Sequence, residues 1–316
     1  MKVARSLLCL GLLLGGSPSY AVLFASTGDP TFNTTAPEGV LQDSGWQFQG
    51  QWLGFLGTPI GPRHFITSRH IGGTVGDVFV FRGETYVTDE VVDAPVADLS
   101  IWHVTTPFPD YALLYRRDDE LGKELVVIGR GTQRGPEILI GGVPGGWGWG
   151  EGDQVQRWGT NVVSGIVTDA PGEGVLLTAD FELGASETEA NLSVGDSGGG
   201  VFLRDVDGVW KLAGINDSVD GYYATDASGI LLENGSFSGL GALYDRSGLF
   251  LSDLQSPWTP VSGPGLWYAN RIFSNLDFID AVVPTPEPTS CTGLVAIAAL
   301  AVQRRLRSRR LAGRSR

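Results

Sequence analysis

The chain has 316 residues, 42% hydrophobic and 18% charged, with 46 glycines and 17 prolines. It is too apolar for a disordered chain, and its scattered glycines and short apolar runs exclude helical bundles and coiled coils, which need a sustained 3.5- or 3.6-residue period. Net charge is −13, and residues 22–290 hold all 35 acids against 13 of the 22 basic residues, so the folded body repels phosphate backbones and anionic head groups and nucleic-acid binding is disfavoured.

Residues 1–21 read as a secretory signal: Lys2 and Arg5, an apolar run over 7–14, then small residues ending in Ser19-Tyr20-Ala21, a small-x-small cleavage site. The run is short, uncapped and followed by Gly15-Gly16-Ser17-Pro18, unlike a buried helix, so the mature chain is expected to begin near Val22. Segments 46–56, 76–82, 84–92, 124–130, 161–168, 174–182, 199–204 and 209–216 are short, rich in β-branched and aromatic residues, and bounded by Gly, Asp or Pro, which predicts an all-β body. Hairpin turns are expected at Arg82-Gly83 and at Asp205–Gly208. Asp205-x-Asp207-Gly208 lacks the third acid and terminal Glu of a calcium loop and reads as a tight turn. The stretch Gly141–Gly152 has no following Lys and no strand-to-helix context for a phosphate loop, and is expected to be an irregular surface loop pinned by its tryptophans. A single short helix is expected near Asn270–Phe278.

Beyond a body of 22–283, the chain carries Pro284-Thr285-Pro286-Glu287-Pro288, an apolar stretch over 291–302 that is too short to span a bilayer as a finished helix, and an Arg-rich end. This order resembles the PEP-CTERM sorting tail of exopolysaccharide-making Gram-negative bacteria. The resemblance implies export to the cell surface or medium, transient membrane association through the tail, and an exosortase-type processing enzyme as a partner. The alternative is a simple C-terminal membrane anchor. Of the two cysteines, Cys9 lies in the signal and Cys291 in the tail, so the body forms no internal disulfide and its stability rests on its core.

Three segments carry chemistry in company that none carries alone. His70 closes an apolar strand at Thr67-Ser68-Arg69-His70, and Asp98 opens the alternating stretch Asp98-Leu99-Ser100-Ile101. Gly195-Asp196-Ser197-Gly198-Gly199 flanks a hydroxyl with glycines, which can aim the backbone N–H groups of Gly195 and Ser197 into one concavity to receive an oxyanion. Asp93 is the second choice for the acid, and His64 and His103 are expected to be structural or surface groups.

Together these strings resemble the chymotrypsin/trypsin-like serine peptidases, in that family's order His, Asp, Ser, over about residues 46–220. The resemblance implies two six-stranded antiparallel β-barrels, about 40–122 and 123–282, with the active site in the cleft between them. It assigns Ser197 as nucleophile, His70 as general base then acid, and Asp98 as the group that orients the imidazole. The implied activity is serine endopeptidase hydrolysis of protein or peptide substrates, by a monomer without metal or organic cofactor. An esterase using the same residues, or an inactive binding protein of the same fold, are the alternatives.

The sequence departs from the family in two places. No Ile-Val-Gly-Gly follows the signal site, so Asp196 needs another partner, an Arg or backbone donors, and folding without the animal-type zymogen step is expected. In the substrate pocket, Asn191 stands where basic-specific members carry an Asp, and the stretch Asp217-Ser218-Val219 replaces the usual pocket wall, where the Asp217 acid could still attract a cation.

Overall fold

A computed structural model describes residues 22–168, 174–232, 239–254 and 256–283; the expected leader and sorting tail lie outside these residues. Six antiparallel strands close into a barrel in the order Gly50–Trp52, Phe55–Gly61, His64–Ser68, Leu99–Val104, Glu84–Asp93, Val78–Phe81, and Gln51 opposite Val80 shuts the ring. Alternation along these strands turns large aromatics inward. Phe65 and Phe79 stack at 4.0 Å with planes 10° apart, and Trp52, Phe81, Trp102 and Phe108 fill the space around them. A side chain at Gly50 would put its Cβ 2.2 Å from the Phe79 ring, so the stack needs the smallest residue there. The expected hairpin at Arg82-Gly83 forms, both residues having positive φ (52° and 81°), which is the backbone of a type I′ turn.

The second half is a curled, seven-stranded antiparallel sheet rather than a second six-stranded ring, in the order Arg157–Val162, Glu124–Gly129, Gly200–Arg204, Trp210–Val219, Leu266–Arg271, Val175–Asp180, Gly165–Thr168. Its two edge strands are consecutive in the chain. The linker ties them together, because the Val163 amide donates to the Lys123 carbonyl (3.0 Å) and the Ser164 amide to the Thr178 carbonyl (2.9 Å). The stretch 161–168, expected as one strand, breaks at this point. The curl encloses Leu125, Val127, Val163, Leu177, Leu203, Ala213 and Trp267.

Residues 141–152 are not an irregular loop. Thr132–Ile140 and Val143–Gly152 form an antiparallel hairpin that turns at Gly141-Gly142, with Trp147 and Trp149 buried and the Arg134 guanidinium 4.1 Å from the Trp147 ring centre. Glycine allows the close approach, since a Cβ on Gly135 would lie 2.8 Å from the backbone of Trp149. In the Asp205–Gly208 turn both carboxylates face Lys211 Nζ, at 2.6 and 2.7 Å. The C-terminal helix runs Leu276–Val282, later than expected, because Asn270 and Arg271 belong to a sheet strand.

Barrel and sheet share one apolar interface. Leu56, Ile60, Ile66, Leu99 and Ile101 from the barrel meet Val126, Ile128, Phe202, Leu212 and Ile215 from the sheet, with Ile272, Ile279 and Val283 from the C-terminal segment. No helix among the described residues is long and apolar enough to cross a membrane.

Glu189 is buried in the second half, where its carboxyl accepts from Asn161 Nδ2 at 2.9 Å and from the Glu182 amide at 3.4 Å. Burial pushes it up to about 8 from an ordinary 4.5. The folded state therefore holds this proton more tightly than the unfolded chain does, and the resulting stability is complete below 4.5 and lost as pH rises through about 8. Thermal unfolding should show a smaller loss of Tm between mildly acidic and mildly alkaline buffer for Glu189→Gln than for the native chain; equal losses would refute a buried neutral carboxyl.

Candidate active site

The strand His64–Ser68 leaves the barrel wall through a 3-10 turn over Arg69–Ile71, which raises His70 into the cleft facing the sheet. Two hydroxyls anchor this exit: Thr67 Oγ1 donates to the Leu56 carbonyl (2.7 Å) and Ser68 Oγ to the Asn216 carbonyl (2.6 Å). Asp98, at the start of Leu99–Val104, is largely buried, and its carboxylate accepts from the His70 backbone N–H (2.9 Å) and from the His70 Nδ1–H (2.5 Å). Burial pushes the Asp98 carboxyl up, but the hydrogen bonds and charge of His70 outweigh it and leave it below the usual carboxylate range. The other ring nitrogen, His70 Nε2, lies 2.8 Å from Ser197 Oγ. The three side chains expected to act together are therefore in one hydrogen-bonded line.

Ser197 is presented by a tight loop between Ser193 and Gly199. Gly198 has φ +76°, and a Cβ there would fall 2.2 Å from both the Leu56 carbonyl and Thr67 Oγ1, so only glycine lets the loop press against the barrel. The backbone amides of Gly195 and Ser197 make no hydrogen bond to another described group, and both residues line the cleft. Asp93, the second choice for the acid, instead accepts from Ser100 Oγ at 2.5 Å. His64 and His103 pair ring to ring at 5.0 Å, with His103 Nδ1 2.5 Å from Asp89, and neither joins the line.

Asp196 is fully buried and finds backbone donors rather than an Arg. Its carboxylate accepts from the amides of Gly131 (2.7 Å) and Ser193 (2.7 Å), from Ser193 Oγ (2.9 Å), and from the Val22 nitrogen, 3.2 Å from each oxygen. Burial still pushes it up to about 6. The Val22 backbone amide thus reaches the acid beside Ser197 although the sequence carries no Ile-Val-Gly-Gly motif. Gly129 makes room, since a Cβ there would stand 2.0 Å from Asp196 Oδ1.

Asn191 does not line the substrate pocket, contrary to expectation. It is buried opposite Leu23 in a two-residue ladder that the N-terminal segment forms with Ala190–Asn191, and its Nδ2 turns to the Leu192 carbonyl. The cleft beside Ser197, of about 480 Å³, is lined by Phe55, Leu192, Val194, Val219, Tyr222 and Leu240, among others. The Asp220 carboxylate at the same cleft is taken up by Arg246 (2.6 Å), the hydroxyls of Tyr223 (2.7 Å) and Tyr268 (3.0 Å), and the Leu266 amide (2.9 Å). Asp217 also lines it, but its carboxylate accepts from Asn270 Nδ2 (2.8 Å) and Ser218 Oγ (2.8 Å). Burial, with the charge of Asp98 adding to it, pushes the Asp217 carboxyl up to about 6.

Two asparagines of structural consequence are not signalled by any motif. Asn270 Nδ2 reaches the Asp98 carbonyl at 3.2 Å as well as Asp217. Asn216 Nδ2 donates to the carbonyls of Ile128 (2.8 Å) and Asp196 (3.0 Å), while its backbone pairs with Gly198 (3.0 Å) and Gly199 (2.8 Å). A polar residue ending the buried run Leu212–Ile215 is the one trace it leaves in the sequence. His70, Asp98 and Asp217 are close enough together to hold a metal ion, but His70 already spends one ring nitrogen on Asp98 and the other on Ser197.

No family model and no curated protein matches the sequence. Among solved structures, the chain is similar to the inactive form of an Rv3671c variant from M. tuberculosis H37Rv, at 14% identity and TM-score 0.42, covering 82% of this chain and 98% of that one. It is similar to the Rv3671c protease in its inactive form at 13% identity and TM-score 0.41, covering 79% and 98%. A third likeness is to the HtrA-type protease AlgW with a decapeptide, at 14% identity and TM-score 0.40, covering 72% and 50%.

Asn216→Ala should strand the buried Ile128 and Asp196 carbonyls and cost about 2 kcal/mol of stability, seen as a lower denaturant midpoint at unchanged slope. A loss below about 0.5 kcal/mol would mean that other contacts hold the loop.

Proposed function

We propose that the protein is a secreted serine endopeptidase that hydrolyses peptide bonds through an acyl-enzyme. The observation that carries this reading is the unbroken line Asp98, His70, Ser197, with contacts of 2.5 and 2.8 Å. A serine hydroxyl is a weak nucleophile unless a base takes its proton during attack, and a neutral imidazole with its Nδ1–H held by a carboxylate offers that base at Nε2. Ser197 Oγ attacks the scissile carbonyl as its proton passes to His70 Nε2, and the developing oxyanion receives the free amides of Gly195 and Ser197. His70 then protonates the departing amine and the acyl group stays on Ser197. Water, deprotonated by the same nitrogen, displaces it and restores the hydroxyl.

A fluorophosphonate should label Ser197, with the adduct located by mass, and Ser197→Ala or His70→Ala should lower the rate of peptide hydrolysis by about 10⁴-fold or more. Well-folded native protein that takes no label would favour the binding-protein reading, and label with ester but no peptide turnover would favour the esterase.

The cleft supports a preference for an apolar side chain before the scissile bond. Its walls are largely aliphatic and aromatic, and Asp220 is already neutralised by Arg246. Profiling with a peptide library should rank Leu, Met or Phe above Lys and Arg at that position; cleavage after basic residues would assign the pocket acids a direct role.

Export through 1–21 and processing of the tail at the surface of a Gram-negative bacterium belong to the same reading. Cleavage after Ala21 would make the Val22 nitrogen an α-ammonium placed on Asp196, and its charge would offset the cost of burying that carboxylate. Leader removal would then itself complete the nucleophile loop, without any trimming beyond Val22. Protein that begins at Val22 should label at least about ten times faster than protein that retains Ala21, a difference of roughly 1.4 kcal/mol in the population or reactivity of the loop; equal rates would leave Asp196 supported by its other donors alone.

A further inference from the structure

A second carboxylate lies against the triad. A ligand oxygen of Asp217, one of Asp98 and a ring nitrogen of His70 all fall within 4.8 Å of one another. We propose that Asp217 is a positioning residue that shares a proton with Asp98 and so sets the pH at which His70 becomes a free base. This rests on the peptidase reading for its functional meaning, but not for its test.

Asp98 is the better-supported anion, since it accepts two hydrogen bonds from His70 and has Arg69 Nε at 3.8 Å. Asp217 receives only the neutral Asn270 amide and Ser218 hydroxyl. Two carboxylates this close, Asp98 buried and Asp217 partly so, do not ionise independently, so the proton that remains at low pH resides on Asp217 and is donated towards Asp98. The elevated affinity of Asp217 for a proton agrees with this placement. The charged and titratable groups facing Asp217 are Asp98, from the segment before Leu99–Val104, and His70, on the 3-10 turn that also carries Arg69; from the strand Leu266–Arg271 the facing side chain is the neutral Asn270. Asp196, Asp220 and Asp253 line the same cleft but are taken up by the Val22, Gly131 and Ser193 donors, by Arg246, and by the Ser256 amide and hydroxyl.

When Asp217 loses its proton, His70 gains a second anionic neighbour and holds its own proton to higher pH. Without that anion, His70 should deprotonate earlier. The chain has three histidines, so the His70 imidazole can be assigned by comparison with His70→Ala and titrated by NMR in the native protein and in Asp217→Asn. In Asp217→Asn, His70 should titrate lower by about one pH unit, and the acid limb of fluorophosphonate labelling should move the same way. Asp217→Ser, a smaller neutral donor, should give the same direction and covers the case in which the amide fails to fold. An unchanged His70 midpoint in a folded Asp217 variant would overturn the proposal whether or not the enzyme turns over. Absence of labelling in native protein, with the His70 shift present, would instead overturn the peptidase reading alone.

Discussion

Asn216 is fully buried at the seam between barrel and sheet, and its side-chain nitrogen, its backbone amide and its carbonyl are all hydrogen-bonded. Its Nδ2 bridges the sheet strand carbonyl of Ile128 to the loop carbonyl of Asp196, its backbone brackets Gly198 and Gly199, and its carbonyl also receives Ser68 Oγ from the barrel two residues before His70. Side chains borne on different halves of a protein, as His70 and Ser197 are here, stay within hydrogen-bond reach only if the halves keep their registration to a fraction of an ångström. Here that registration is a matter of a few buried hydrogen bonds backed by an apolar interface. Gly198 completes it from the other side, because the loop touches the Leu56 carbonyl and Thr67 at a distance that no side chain tolerates.

Electrostatics around the seam follow from burial. Asp98, Asp196, Asp217 and Asp220 all line or adjoin one cleft, and each is managed differently: by a histidine, by backbone amides including that of Val22, by two neutral donors, and by an arginine with two tyrosines. A buried carboxylate without such partners would shed its charge. Asp196 and Asp217, whose donors are backbone amides and neutral side chains, are both pushed up to about 6 by burial. The site is therefore an acidic cluster held together by directed donors, within a chain whose surface is acidic as well.

Much of this architecture is legible locally. Arg82-Gly83 marks its hairpin because adjacent positive-φ residues match the twist of the flanking strands, and most of the expected strands are present within a few residues. His70, Asp98 and Ser197 could be picked out because each stands in a short string whose neighbours are set by backbone geometry. The stretch 141–152 was opaque for the opposite reason: glycines alternate with tryptophans, so every second side chain is missing and the alternation that announces a strand is lost. Asn191 was misplaced because its position depends on Leu23, a partner 168 residues away along the chain.

By itself the sequence determined the all-β class, the acidic body between basic ends, and the identity and order of the three side chains that meet in the cleft. These follow from residue type and short-range spacing, which report on local backbone preference and on available chemistry. Only the tertiary structure decided that the second half is a curled seven-stranded sheet, that Val22 reaches Asp196, that Asn216 locks the Ser197 loop, and that Asp217 lies against Asp98 and His70. Each of these depends on contacts between residues far apart in the chain, where distance and burial set the energy and no local pattern records the partner.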